Sequence, residues 1–402
     1  MPTTTSFGTT PASVPIVAAP ETSSAPAARR TIPVMHIING EHFAGAERVQ
    51  QHLGKHLGRV GFDPIFACMK PGVFPELCDL RSNQIFTAPM QNRLDFRVIN
   101  QISDEINDRG VEILHAHTPR TAMITSILAR RERLPWVYHV HSPAARDSTR
   151  SFFNRANTLV ERFAIRSCSQ LITVSRSLRR EMLRLGVPRS RLSVVPNGVP
   201  ATEPIEPATR LDQDAWNIGM IALMRPRKGV EVALNSMQVL DSKQQAGNIK
   251  MQFIGSFETN EYEQEIRLLE DQLCVGSRVE WKGFVRDIPN AIRKLDALIL
   301  PSLFGEGMPM VVLEALSAGV PVIATSVEGT PEVIRHGHEG LIAEPGNAES
   351  LANSIDEMTS CRNRWAVYSQ NAVERHRESF SDTIMTQRVA NVYEKLLRNS
   401  AE

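Results

Sequence analysis

Short apolar runs alternate with helical periods along most of this chain. Residues 34–38 are apolar around a single histidine and predict a strand; Ala46, Val49, Leu53 and Leu57 then recur at the spacing of one helix face. Further strands are predicted at 64–68, 111–116, 136–140, 171–174 and 192–195, with helices at 121–131, 151–168 and 176–185 between them. Residues 200–214 (PATEPIEPATRLDQD) are polar, Pro-rich and without period, as expected of a linker. The alternation then restarts. Strands are predicted at 217–222, 250–254, 297–300, 320–324 and 340–343, and helices at 229–240, 260–273, 309–318, 331–336 and 348–358. Two helices, 362–378 and 382–398, close the chain, the second with Ser381 as its N-cap.

Strands that are apolar at nearly every position belong to parallel sheets covered by helices on both faces. The expected fold class is therefore α/β, with two doubly wound parallel-sheet domains at 32–199 and 215–380 and the linker 200–214 between them. The segment 381–402 is expected to form a C-terminal helix packing back towards the first domain. Residues 1–31 are mostly Thr, Ser, Pro and Ala and cannot bury enough apolar surface to order themselves, which predicts a disordered tail.

Charge and composition narrow the function classes. A net charge of +1 over 402 residues gives no global reason to expect a nucleic-acid partner. The five cysteines form no C-x-x-C pair and no zinc spacing, and read as reduced, mostly buried thiols of a cytoplasmic protein. No apolar run reaches the ~18 residues of a membrane-spanning helix, and the start of the chain does not read as a secretory signal. Asp212-Gln-Asp214 spells a metal-binding D-x-D, but it lies in the polar linker rather than after a buried strand, so no metal is expected there. Eleven arginines crowd 146–191, with Phe152, Phe153, Leu159 and Phe163 among the first of them. Two readings stand: an amphipathic helix with a solvated basic face, or peripheral contact with the anionic inner face of the cell membrane.

The most informative segment is 298–314 (LILPSLFGEGMPMVVLE). A buried strand ends at Pro301-Ser302, a Gly-rich turn containing Gly307 follows, and a helix starts near Pro309 and ends before Gly319. Ligands of open α/β sheets bind at the carboxyl ends of the strands. The helix start at Met308, Pro309, Met310 and Val311 offers free N–H groups and a positive dipole end, which suits a phosphate. Glu306 and Glu314 flank that start. Carboxylates placed there make sense as acceptors for the hydroxyls of a sugar and a ribose; the alternative is a solvated loop residue and an exposed helix residue. Arg225 and Lys228 follow another strand end. They either neutralise a leaving diphosphate, the task a metal would otherwise perform, or form a basic surface loop.

The segment 296–340 resembles the donor-binding half of glycosyltransferase family 4, which has the GT-B fold of two Rossmann-like domains facing each other across a cleft. The E-x7-E pattern is present as Glu306 and Glu314, accompanied by Gly283-Phe-Val, Ala318-Gly-Val-Pro-Val-Ile-Ala-Thr, Gly329-Thr-Pro-Glu-Val-Ile and Gly340-Leu-Ile. The likeness spans about residues 33–398. It implies a retaining, metal-independent enzyme with a nucleoside-diphosphate sugar as co-substrate. Glu306 would meet the donor-sugar hydroxyls, Glu314 the ribose and Lys228 the diphosphate. The family's arginine, about five residues before the lysine, is Leu223 here; Arg225, two residues on, would share its face of a strand.

In the first domain, Ala44-Gly45-Ala46-Glu47 resembles the family's G-G-x-E turn, with Gly45 at the acceptor side. His141, in VYHVHSP, resembles the family histidine that hydrogen bonds the transferred sugar. His115, His117 and His139 sit at strand ends, where histidines more often serve structure. Asn197-Gly198 reads as a turn before the hinge. The resemblance further implies a carbohydrate or lipid-linked acceptor and a place in polysaccharide, lipopolysaccharide or glycolipid assembly. Two rival readings are a nucleotide-sugar 2-epimerase and a non-catalytic nucleotide-sugar sensor or scaffold.

Overall fold

A computed structural model describes residues 31–402 except 44, 71, 93–94, 143–164, 244–246 and 402. The predicted tail up to residue 30, and the predicted helix 151–168 up to residue 164 with its phenylalanines, lie outside the described residues.

Seven parallel strands form the first sheet: β1 (Ile32–Ile38), β2 (Phe62–Cys68), β3 (Ile85–Thr87), β4 (Ile113–Ala116), β5 (Trp136–Val140), β6 (Gln170–Thr173) and β7 (Leu192–Val194). Their order is β3-β2-β1-β4-β5-β6-β7. Six more, β8 (Trp216–Ile221), β9 (Ile249–Ile254), β10 (Val279–Gly283), β11 (Ala297–Leu300), β12 (Val322–Thr325) and β13 (Gly340–Ala343), form a second parallel sheet in the order β10-β9-β8-β11-β12-β13. Each order reverses once, between β1 and β4 and between β8 and β11. Those are the crevices where such sheets receive ligands. Every residue of β4, β5, β6, β11 and β12 is buried, as expected of strands with helices on both sides.

Two edge strands, β3 and β10, and the helices Val73–Leu77, Arg97–Asp108 and Ile288–Arg293 were not among the predicted elements. The donor-side helix runs Met310–Ser317, with Pro309 in extended backbone as its N-cap rather than its first turn. All five cysteines are free, but only Cys68 and Cys168 are buried; Cys78 is half-buried, and Cys274 and Cys361 are exposed. The expectation of mostly buried thiols fails because Cys274 and Cys361 occupy a helix C-cap and N-cap at the surface.

The linker is tied down rather than loose. It holds a short 3-10 turn, Pro207–Arg210, and Arg210 Nη1 donates to Asp296 Oδ1 at 2.9 Å. Asp296 is fully buried and also accepts from Arg362 Nη1 at 2.9 Å and from the Asn217 amide at 2.6 Å. Two guanidinium groups and an amide satisfy a carboxylate that would otherwise be costly to bury. Helix Arg362–Ser379 lies against Met310–Ser317, with Trp365 Nε1 donating to the Asp296 carbonyl at 2.6 Å.

The chain then crosses back. Val199 N donates to Phe380 O and Asp382 N to Val199 O, each at 3.0 Å. Helix Asp382–Ala401 packs on Gly45–His56 in the first domain, where His56 Nε2 pairs with Asp382 Oδ2 at 2.8 Å. Ser381 Oγ accepts from Ile384 N at 3.3 Å, as an N-cap does. Among the described residues, no helix is long and apolar enough to cross a membrane.

Candidate active site

The second domain supplies a cationic corner at its switch point. After β8 the chain makes a 3-10 turn, Pro226–Lys228, closed by Gly229 at φ +71°. A Cβ on Gly229 would come within 2.1 Å of the Pro301 carbonyl, so the turn can lie against the end of β11 only with glycine there. Leu303 N donates to Arg227 O at 2.8 Å and joins the two loops. Lys228 Nζ then donates to Glu306 Oε1 at 2.5 Å, and Ser302 Oγ donates to the same oxygen at 2.7 Å.

Glu306 is only 5% exposed. Burial pushes its carboxyl up, but Lys228, Ser302 and Arg227 together outweigh burial and hold it below the ordinary value, so it is ionised at neutral pH. Burial, partly opposed by Glu306, lowers Lys228 from its usual value. Glu328 Oε2 accepts from the Gly305 and Glu306 amides at 2.9 and 3.2 Å and fixes the Gly-rich turn.

The arginine nearest Glu306 is not the expected one. Arg227 Nη1 lies 3.6 Å from Glu306 Oε1 and donates to the Gly305 carbonyl at 3.2 Å. Arg225 turns instead to Glu258, at 3.4 Å. Arg225 does not share a strand face with Leu223, because β8 ends at Ile221 and the residues beyond follow a turn rather than strand alternation. The Nε atoms of both Arg225 and Arg227 are buried with no partner among the described residues.

Helix Met310–Ser317 begins beside this corner. Its first N–H groups, on Met310 and Val311, have no acceptor within the helix. Glu314, 7% exposed, lies on its buried side and forms an ion pair with Arg48 of helix Gly45–His56 in the first domain. Burial raises the Glu314 carboxyl, and Arg48 opposes that shift. Both glutamates of the E-x7-E pattern are thus buried and charge-paired, neither solvated nor exposed.

The first domain closes on the same turn. A Cβ on Gly307 would come within 2.1 Å of the His141 carbonyl, so these two backbones meet only because residue 307 is glycine. Gly45 faces Met310; a Cβ there would lie 3.4 Å from Met310 Cγ. Asn197, expected as a plain turn residue, is buried and its Nδ2 donates to the Met308 carbonyl at 3.2 Å. Glu332 reaches across as well: its two carboxylate oxygens accept from the Arg176 and Ser177 amides, each at 2.7 Å. It thereby caps the amino end of helix Arg176–Arg184, where a negative charge is favoured. That helix buries Leu178 and Met182 and exposes Arg176, Arg180 and Arg184. Arg146, Arg150, Arg155 and Arg162 lie outside the described residues.

His141 is one end of a hydrogen-bonded row. Its Nε2 lies 3.1 Å from His117 Nδ1, and His117 Nε2 lies 3.0 Å from His36 Nδ1. His36 Nε2 is 3.4 Å from the Tyr393 hydroxyl, which is 2.5 Å from His115 Nδ1. In parallel register His36 lies beside His115, so β1, β4 and β5 bring the rings together at the first sheet's switch point. Burial lowers His141 to about 4 and leaves it neutral at pH 7. His117 thus orients His141, a task its place at a strand end did not reveal. Gly45, His141, Lys228, Glu306, Gly307, Met308, Pro309, Met310, Val311 and Glu314 converge on one region, while Arg225 stands at its edge.

Residues 43–203 match the family described as Glycosyltransferase Family 4, and residues 202–375 match the family described as Glycosyl transferases group 1. The two matches meet at the linker and together take in the whole site. The chain is a glycosyltransferase of the family 4 type. This transferase is 23% identical over 364 residues, 83% of its length and 92% of the relative's, to the UDP-Gal:alpha-D-GlcNAc-diphosphoundecaprenol alpha-1,3-galactosyltransferase of Escherichia coli. It is 23% identical over 300 residues, 72% of its length and 78% of the relative's, to the capsular polysaccharide biosynthesis glycosyltransferase CapM of Staphylococcus aureus. In fold it resembles HepE of Anabaena, solved with UDP and glucose, at a TM-score of 0.76 and 20% identity, over 90% of this chain and 100% of that one. It also resembles a sucrose-phosphate synthase of Thermosynechococcus elongatus at a TM-score of 0.76 and 18% identity, over 92% and 100% of the two chains. These neighbours establish the GT-B fold for the transferase.

Proposed function

We propose that this transferase takes its sugar from a nucleoside-diphosphate donor, without a metal, and delivers it with retention of configuration to a glycan or lipid-linked acceptor. The observation that carries the reading is the cationic corner. Lys228 and Arg227, whose Nε has no partner among the described residues, stand beside a helix amino end at the second sheet's switch point, with Arg225 at the edge. A diphosphate placed there would meet fixed positive charge as it leaves, the role a divalent cation plays in other transferases. Glu314 would exchange Arg48 for the ribose hydroxyls, and Glu306, held ionised, would accept from the sugar.

His141 approaches from the other domain at Gly307 and orients the sugar through its ring. The acceptor hydroxyl would attack the anomeric carbon on the face the diphosphate leaves, and a departing phosphate oxygen would take the proton. Domain closure around the 305–310 turn would keep water out and limit hydrolysis. The E. coli relative's name, with its UDP-galactose donor and diphosphoundecaprenol-linked acceptor, supports both halves of the proposal. The exposed Arg176, Arg180 and Arg184 give such an enzyme a basic face for the anionic headgroups around a lipid-linked acceptor.

Product analysis is the test. With an α-linked nucleotide sugar and a polyprenyl-diphosphate glycan acceptor, NMR of the product is expected to show an α linkage. A β-linked product would overturn retention. Conversion of the nucleotide sugar to its epimer with no acceptor present would replace transfer by epimerisation.

A further inference from the structure

The row of histidines continues past what orientation of His141 requires. We propose that His117, His139 and His141 form a binding site for one divalent transition-metal ion of the zinc type at the carboxyl ends of β4 and β5. One nitrogen from each of the three imidazoles lies within 4.8 Å of the others. His117 Nδ1 and His141 Nε2 are 3.1 Å apart. Two Zn–N bonds of about 2.05 Å at a tetrahedral angle place their nitrogens about 3.3 Å apart. The pair is therefore already spaced as ligands of one ion.

His139 makes the stronger case. It is fully buried, and neither ring nitrogen has a partner among the described residues. A buried imidazole with both nitrogens unmet calls for an explanation such as an ion. A bound ion would turn this unmet group into a ligand. A ring turn about the Cβ–Cγ bond would bring its nitrogen towards the other two.

The surroundings fit the same ion. His117 uses its second nitrogen, Nε2, on His36 Nδ1 at 3.0 Å, and His36 in turn reaches the Tyr393 hydroxyl. A partner on the far nitrogen of a ligating histidine fixes its tautomer and leaves the near lone pair for the metal. Three imidazoles with no carboxylate among them select zinc, cobalt, nickel or copper over magnesium or calcium, which take oxygen ligands. His141 is half-buried at the Gly307 turn, so one ligand of the set reaches towards the surface. A second candidate set, His36, His115 and His117, is wholly buried. The site lies apart from the diphosphate corner but shares His141 with the proposed donor site: Nε2 would hold the ion, and Nδ1, which has no partner among the described residues, would stay for the sugar.

The test is a titration of the untagged, chelator-stripped protein with Co2+. The expected result is a visible d–d absorption band that saturates at one ion per chain. His139→Gln is expected to abolish the band, His36→Gln to weaken binding by about 10- to 100-fold, and His115→Gln to leave it intact. Circular dichroism and the thermal midpoint establish that each variant is folded. If His139→Gln does not fold, His141→Gln takes its place with the same expected loss. No saturable band in the wild type would overturn the proposal. So would a band that survives His139→Gln, or one that His115→Gln removes, which would assign the ion to the inner set.

Discussion

Lys228→Ala is expected to lower sugar transfer by about 100- to 1,000-fold, the usual cost of removing one preorganised group that meets developing negative charge. Lys228 is tied to Glu306 at 2.5 Å and closes the 3-10 turn that follows β8, beside the helix that begins at Met310. The substitution also acts on stability. It leaves Glu306, 5% exposed, with Ser302 and a more distant Arg227, and breaking a buried pair from one side costs about 3–5 kcal/mol. A double variant, Lys228→Met with Glu306→Gln, removes both charges and is expected to recover most of that stability without recovering activity. Steady-state rates and urea unfolding of the two variants separate the effects. If Lys228→Ala were folded and within about tenfold of wild-type turnover, the leaving-diphosphate role would be wrong.

Acidification is expected to destabilise the protein by several kcal/mol between pH 6.5 and pH 4. Burial lowers His36 to about 3, and His52 and His141 to about 4, from an ordinary 6.5. His115, His117 and His139 fall well below 6.5, through burial first and neighbouring imidazoles second. The unfolded chain takes up protons on these rings near pH 6.5, and the folded protein does so only at lower pH. The unfolded state therefore binds more protons throughout the window, and stability falls as pH falls from 6.5 towards the folded values. Each ring contributes up to about 1.4 kcal/mol per pH unit. Urea unfolding at pH 7, 6, 5.5 and 5 measures the slope, and His52→Gln is expected to reduce it by about one ring's share. A stability that stays flat from pH 7 to pH 5 would contradict the buried, neutral histidines.

The elements legible in the sequence are those whose burial is uniform. β4, β5, β11 and β12 bury every position and so read as unbroken apolar runs. β3 and β10 are edge strands with half-exposed and exposed positions, and β10 carries Glu280 and Lys282, so neither shows a run or a clean alternation. Helix Arg97–Asp108 is a different case: Val98, Ile99, Ile102 and Ile106 keep a clear helical period, and the signal was there to be read.

The site divides the same way. Glu306 and Lys228 were legible because each follows a strand end and the two strands, β8 and β11, are neighbours. Arg227 was not legible because strand alternation stops where β8 ends, and a turn sets which arginine faces Glu306. The Arg48–Glu314 pair, the bond from Asn197 to Met308 and the Glu332 cap on Arg176 all join the two domains. No local pattern encodes such partners; they follow only from how the domains meet. The histidine row was visible as His115, His117, His139 and His141, but its closeness to His36 and Tyr393 depends on strand order and on the returning C-terminal helix.

The measurement that bears most directly on the donor site is thermal stabilisation of the protein by UDP, GDP, ADP and TDP, each with and without Mg2+, in wild type and Glu314→Ala. The predicted result is stabilisation by one diphosphate, equal with and without Mg2+, and weakened in Glu314→Ala by about 10- to 100-fold in affinity, the worth of a charge-assisted hydrogen bond. Stabilisation by none of them, or only with Mg2+, or undiminished in Glu314→Ala, would contradict the metal-free diphosphate site built on Lys228, Glu306 and Glu314.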